Sequence, residues 1–218
     1  MRNGTAVKTR SIAVFDLGGV LIDWNPRHLY RKLFDGDEAA MERFLAEVCT
    51  SDWNLAQDAG RPFAEACALL VETHPEQKEL IEAFHHRWVE MLAGPIAGTV
   101  EILRELKERG TPLYALTNWS AETFPHALER YDFLQWFRGT IVSGQEKIVK
   151  PDPGIYRLLV DRFEIDPAEA VYIDDNPKNA QAATELGLHG IHFTTPAVLA
   201  AELRGIGLLS PRSATQRS

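Results

Sequence analysis

The chain has 218 residues, with 23 Lys+Arg against 31 Asp+Glu, a formal net charge of -8, and 45% hydrophobic and 25% charged residues. These are values of a folded chain, long enough for one large domain or a core with a smaller insert, and they exclude wholesale disorder. The acidic balance argues against nucleic acid or acidic membranes as partners, and two cysteines (Cys49 and Cys67) exclude a disulfide framework.

Residues 1–10 read as a polar tail with no signal-peptide core, and 208–218 as a second tail. The first strong element is Ser11-Ile-Ala-Val-Phe-Asp16, a short β-branched run that predicts a strand buried on both faces. The longest apolar stretch, Ile12 to Ile22, is broken by Asp16, so no membrane span is expected and the chain is assigned to the cytoplasm with reduced thiols. Gly18-Gly19 directly after the strand predict a tight turn or a close approach of backbone to a ligand.

From Pro26 to Met91 the apolar residues recur at helical spacing, as in Met41, Phe44, Leu45 and Val48, and later Leu80, Ile81, Phe84 and Trp88. This texture predicts an all-helical insert of about four helices, residues 25–91. Strands and helices then alternate. Helices are expected over 97–109, 121–135, Lys150 to Phe163 and 179–186, and strands at Leu113–Thr117, Thr140–Ser143, Ala170–Ile173 and Gly190–Phe193. The pattern predicts an α/β fold: a Rossmann-like parallel sheet core (11–24 and 92–207) carrying the inserted α-helical cap.

Ligands bind at the carboxyl ends of the strands in such sheets, which singles out Asp16, Thr117, the Lys150 loop and Asp174-Asp175. Three converging carboxylates would repel one another, and at least one would take up a proton unless a cation joined them. Oxygen-only donors favour Mg²⁺. Lys150 and Thr117 add an ammonium and a hydroxyl at the same rim, a combination that suits a phosphate.

Four segments resemble, in order, the motifs of the haloacid dehalogenase-like (HAD) hydrolases: Phe15-Asp16-Leu17-Gly18-Gly19-Val20, Leu116-Thr117-Asn118, Lys150-Pro151-Asp152-Pro153 and Ile173-Asp174-Asp175-Asn176. The likeness spans nearly all of the chain outside the insert, which falls where that family places its helical cap. It implies Asp16 as a nucleophile forming an aspartyl-phosphate, and Mg²⁺ held by Asp16, the Gly18 carbonyl and Asp175. Asp174 is implied as an outer residue or a further ligand, with Thr117, Asn118 and Lys150 on the phosphoryl oxygens. Trp24 and Trp119 follow two of the motifs and are read as facing the substrate cleft. The substrate implied is a small phosphorylated metabolite, and the protein is expected to act as a monomer or homodimer. The resemblance implies a sharp turn with a cis peptide at Lys150-Pro151, against a trans bond as the ordinary prior for any X-Pro.

One position departs from the phosphatase pattern. Gly18 stands where that pattern has a second Asp, the acid that protonates the leaving alcohol. A missing acid costs about a hundred- to ten-thousand-fold, less for leaving groups such as anomeric or acyl phosphate that depart without a proton. The Asp-Leu-Gly-x-Val form resembles a branch that includes a sugar-1-phosphate phosphatase. Asp23 or a residue of the insert is left as a substitute acid. Two other readings follow from Gly18: a metal-independent 2-haloacid dehalogenase, whose halide leaves without a proton, and a non-catalytic binder of a phosphorylated ligand or partner. The dehalogenase branch tends to have small neutral residues where this chain has Asp174-Asp175.

Overall fold

The computed structural model describes residues 10–211. Strand β1 (Ile12–Phe15) leads through a tight loop into β2 (Ile22–Trp24), then five helices: α1 (Arg27–Leu33), α2 (Glu38–Glu47), α3 (Ser51–Asp58), α4 (Phe63–Thr73) and α5 (Lys78–His86). Strand β3 (Leu92–Pro95) returns antiparallel to β2 and closes the insert. The rest alternates: α6 (Ala97–Glu108), β4 (Leu113–Thr117), α7 (Phe124–Arg130), β5 (Gly139–Val142), α8 (Ser143–Glu146), α9 (Pro153–Arg162), β6 (Ala170–Asp174), α10 (Pro177–Glu185), β7 (His189–His192) and α11 (Pro196–Gly205).

The main sheet has five parallel strands in the order β5-β4-β1-β6-β7. Its inner strands β1, β4 and β6 are largely buried on both faces, as helical cover on both sides requires. Ala13 and Phe15 belong to one hydrophobic cluster, and Val14 to a second that holds Ile155, Tyr156 and Leu159 of α9. The first cluster runs without a break into the insert, through Leu29, Tyr30, Met41 and Phe84. Insert and sheet therefore share one apolar seam.

The parallel sheet lies where its β-branched runs predict it. Three features differ from the sequence reading. The β2–β3 pair was not anticipated, because three- and four-residue strands carry too little alternation to register. The helix expected over 121–135 is shorter, with α7 ending at Arg130 and a 3₁₀ segment at Asp132–Trp136. Helix α11 was not anticipated either. Leu208 and Leu209 behind it are buried in the first cluster and do not belong to a tail. Most of the two expected tails, residues 1–9 and 212–218, lies outside the described residues.

Candidate active site

Strand order brings the carboxyl ends of β4, β1 and β6 side by side. Asp16 follows the central strand, Thr117 ends β4 and Asp174 ends β6. The loop after β1 is held by four backbone bonds, from Val20, Leu21 and Ile22 N–H to Leu17 O (3.4, 2.8 and 2.9 Å) and from Gly19 N–H to Ile22 O (2.9 Å). Gly19 has φ +72°, and a Cβ there would sit 2.3 Å from Asp175 Oδ2. Only glycine meets both demands, so the turn and the nearby carboxylate depend on each other.

Asp16 is 7% exposed, and its Oδ1 accepts from Leu17 N–H at 2.7 Å and from Lys150 Nζ at 3.0 Å. Lys150 is 2% exposed. Its Nζ also donates to Asp174 Oδ2 at 2.7 Å and to Leu116 O at 3.1 Å, so all three ammonium protons have acceptors. Asp174 is saturated in turn. Its Oδ2 accepts from Tyr172 OH (2.6 Å) as well as Lys150, its Oδ1 from Asn176 N–H (2.8 Å), and both oxygens from Asn179 Nδ2 (3.1 and 3.2 Å). Asp175 is exposed, and its side chain has no ion-pair partner among the described residues. One oxygen from each of Asp16, Asp174 and Asp175 lies within 4.8 Å of the others.

Three carboxylates thus face a single ammonium. Burial, and then the charges of Asp174 and Asp175 against the opposing Lys150, push the Asp16 carboxyl up to about 7. Partial desolvation of the carboxylate at the cleft floor, and then the charge of Asp174, also raise Asp175. Burial works to lower Lys150, but Asp16 and Asp174 outweigh it and hold the ammonium above its ordinary range. Without a further cation the cluster is proton-seeking. Its oxygen-only donors suit a hard divalent ion.

Thr117 is buried, and its Oγ1 has no hydrogen-bond partner among the described residues. Asn118 has its side chain committed: Oδ1 accepts from Lys150 N–H at 2.8 Å, and Nδ2 donates to Lys150 O at 3.1 Å. It clamps the loop that carries the lysine. The Lys150-Pro151 bond is cis, against the trans prior. Asn176 caps α10 by accepting from Lys178 N–H at 3.0 Å.

Above the carboxylates lies a cleft of about 540 Å³ between sheet and insert. Asp16, Gly18, Asp175 and Asn118 line its floor, and Trp24, Asn25, Leu45, Thr50, Asn54 and Phe84 are among its walls. Arg27 also borders the cleft but is held bidentately by Glu42 (2.5 and 2.6 Å). Of the two tryptophans read as cleft residues, only Trp24 lines it. Trp119 is buried, packed on Trp88 and Phe124 with centroids at 5.5 and 5.7 Å, and borders a smaller adjoining hollow. The sequence reading missed Asp58, the last residue of α3, which borders the same hollow. An acidic residue at a helix end carries no distinguishing sequence signal.

A parallel α/β sheet with a strand-end aspartate, a buried lysine and an acidic pair at the neighbouring strand defines a hydrolase site at the sheet's carboxyl edge. The chain belongs to the haloacid dehalogenase-like hydrolases, whose family model matches residues 11–187. It is 28% identical over 204 residues to a sesquiterpene phosphatase of Aspergillus oryzae, covering 90% of this chain and 96% of that one. It is 27% identical over 178 residues to an (S)-2-haloacid dehalogenase of Pseudomonas sp., covering 82% and 74%. A HAD family enzyme of Bacteroides thetaiotaomicron, solved in complex with magnesium and inorganic phosphate, superposes with a TM-score of 0.62 at 26% identity, over 82% of this chain and 91% of that one. Phosphatases recur among the relatives, which supports hydrolysis of phosphatase type.

Proposed function

We propose that the protein is a Mg²⁺-dependent phosphomonoester hydrolase that acts on a small phosphorylated metabolite through an aspartyl-phosphate on Asp16. The observation that carries this reading is the pairing of Asp16, anchored through Lys150, with an adjacent Asp175 that has no ion-pair partner among the described residues. Mg²⁺ bound by Asp16, the Gly18 carbonyl and Asp175 would supply the positive charge that lets a phosphate dianion approach this acidic floor.

The protein's own groups do the rest. The Asp16 carboxylate, oriented through Oδ1 by Leu17 N–H and Lys150, attacks phosphorus. The unpartnered Thr117 hydroxyl takes an oxygen of the transferring group, and Lys150 takes another by exchanging the proton it gives Asp16 as that carboxylate bonds to phosphorus, so that both meet charge spread in the transition state. Asp174 holds Lys150 in place; its saturated oxygens favour this over direct metal ligation. Asn118 fixes the lysine loop. Residues 25–91 act as the cap that closes the cleft and excludes water, with Trp24 against the substrate. Action in the cytoplasm as a monomer or homodimer belongs to the same reading. No helix among the described residues is long and apolar enough to cross a membrane.

The dehalogenase reading meets a physical obstacle. Without a metal, Asp175 would face a substrate carboxylate, at about 4 kcal/mol for a pair 4 Å apart at an effective dielectric of 20. Purified protein should hydrolyse an aryl phosphate with Mg²⁺ and lose the activity in EDTA. Asp16→Asn should lower turnover by about 10⁴-fold with the fold intact by circular dichroism. Metal-independent chloride release from 2-chloropropionate, without phosphate release, would overturn the proposal. Mg²⁺-dependent binding of a phosphate analogue with neither activity would favour the non-catalytic reading.

A further inference from the structure

Resting on the phosphatase reading, we propose that Asp58, contributed by the helical insert, is the general acid and base that position 18 lacks. Four observations converge on it.

Gly18 leaves an opening. A Cβ built there would meet nothing within 4 Å. The pattern's missing acid would have occupied this side of the nucleophile, and no other group fills the space directly over the glycine.

A hollow of about 50 Å³ adjoins the cleft at this point. Gly18, Trp24, Asn54 and Asn118 border both spaces, and Asp58 borders the hollow. Trp24 Nε1, Trp119 Nε1 and Thr123 Oγ1, three buried polar atoms of the residues around it, have no hydrogen-bond partner among the described residues. Its surroundings therefore suit an oxygen atom better than an alkyl group.

Asp58 is held toward the sheet. Its backbone carbonyl accepts from Ser143 Oγ at 2.6 Å, and the same hydroxyl accepts from Trp119 N–H at 2.9 Å. Its Oδ2 accepts from Asn54 Nδ2 at 3.2 Å. The insert thus delivers this carboxyl on a fixed tether. No Lys or Arg forms an ion pair with it among the described residues, and burial pushes it up to about 7 against the opposing Ser120 N–H and Lys150. A carboxyl in that range is both acid and base near neutral pH.

The alternative acid is poorly placed. Asp23 on β2 accepts from or pairs with His28 Nε2 at 2.9 Å, and it borders neither the cleft nor the hollow.

The chemistry balances as follows. Asp16 forms a bond to phosphorus, and the bond from phosphorus to the leaving oxygen breaks. The leaving oxygen keeps the electron pair and takes the Asp58 proton, releasing the alcohol. Asp58, now a carboxylate, then takes a proton from the water that attacks phosphorus. The bond from phosphorus to Asp16 breaks, its electron pair returns to Asp16, and inorganic phosphate leaves with both carboxyls restored.

The test is a leaving-group series of phosphate monoesters with Mg²⁺, from nitrophenyl phosphate to simple alkyl phosphates. Asp58→Asn keeps an acceptor for its tethers. It should lower kcat for every ester, because all share hydrolysis of the aspartyl-phosphate. It should lower kcat/KM, which reports transfer to Asp16, by about 10²–10⁴-fold for alkyl phosphates and by far less for nitrophenyl phosphate, which steepens the dependence of kcat/KM on leaving-group pKa. Gly18→Asp added to Asp58→Asn should return the alkyl phosphates toward the wild-type rate, a rescue that a purely structural role would not give. Equal loss of kcat/KM on every ester, or no loss of either parameter on any, with wild type active would overturn the role of Asp58 and leave the phosphatase reading standing. An inactive wild type would overturn both.

Discussion

The rim of the sheet and the helical insert are built on opposite economies of polar groups. At the rim almost every polar atom is spoken for: Lys150 has three acceptors, Asp174 is saturated, and Asn118 clamps the lysine's backbone on both sides. The insert is an aromatic assembly in which Tyr30, Phe44, Phe63 and Phe84 pack together, with centroids between 4.9 and 6.2 Å. Its polar groups at the cleft are held in small separate sets, such as Asn54 bonded to Asp58 and Arg27 neutralised by Glu42. A saturated network holds one geometry, as positioning of a reacting group demands. An apolar bundle with scattered polar tips instead delivers single groups, such as Asp58, to points of the cleft that its packing on the sheet fixes.

The contrast can be broken hardest at the rim. Asp174→Asn removes the anchor of a buried ammonium, and should cost about 3 kcal/mol in denaturant unfolding and at least a hundred-fold in turnover. A loss below 1 kcal/mol would show that Asp16 alone satisfies Lys150. Gly19→Ala should come next. It strains a positive-φ position by about 1–2 kcal/mol and drives a methyl into Asp175, so the Mg²⁺ concentration needed for half-activity should rise clearly. An unchanged Mg²⁺ requirement would remove Asp175 from the metal site.

The insert should respond through pH. The Asp58 carboxyl is raised in the fold from 3.8 to about 7. Between these values the folded state binds more protons than the unfolded one, so this group's effect on stability worsens as pH rises from about 4 to 7. Thermal unfolding of wild type against Asp58→Asn should therefore show wild type losing ground steadily over that window. A constant difference would mean that the carboxyl titrates normally. The smallest effect is expected for Trp24→Ala, which removes one wall of the cleft. It should raise KM several-fold with kcat within about three-fold, as loss of uniform binding does. A kcat collapse instead would move Trp24 from the cleft wall into the catalytic geometry.

Much of the rim could be read from the chain because its residues sit at strand ends. A buried parallel strand is a short β-branched run, and the residue after it is where such a sheet presents chemistry. Asp16, Thr117, Lys150 and Asp174-Asp175 all stood out on that ground. Asn118 stood out as well, but its commitment to Lys150 is a contact over 32 positions and depends on how two loops meet. Helix α11 and the buried Leu208-Leu209 escaped because a terminal apolar stretch has no following element to declare it packed. The β2–β3 pair escaped because it is too short to show a period.

Local chemistry along the chain, then, determined the parallel α/β core, the helical character of residues 25–91 and the carboxylates at the strand ends. Periodicity and strand-end position are properties of neighbours in sequence, so they are written there. Only the tertiary structure decided that Trp119 turns from the cleft into the packing, that Asp174 spends its oxygens on the protein, and that the space over Gly18 opens beside Asp58. Each depends on groups far apart in the chain meeting at one point, and burial, hydrogen-bond saturation and the rise of a carboxyl's pKa are set by that meeting.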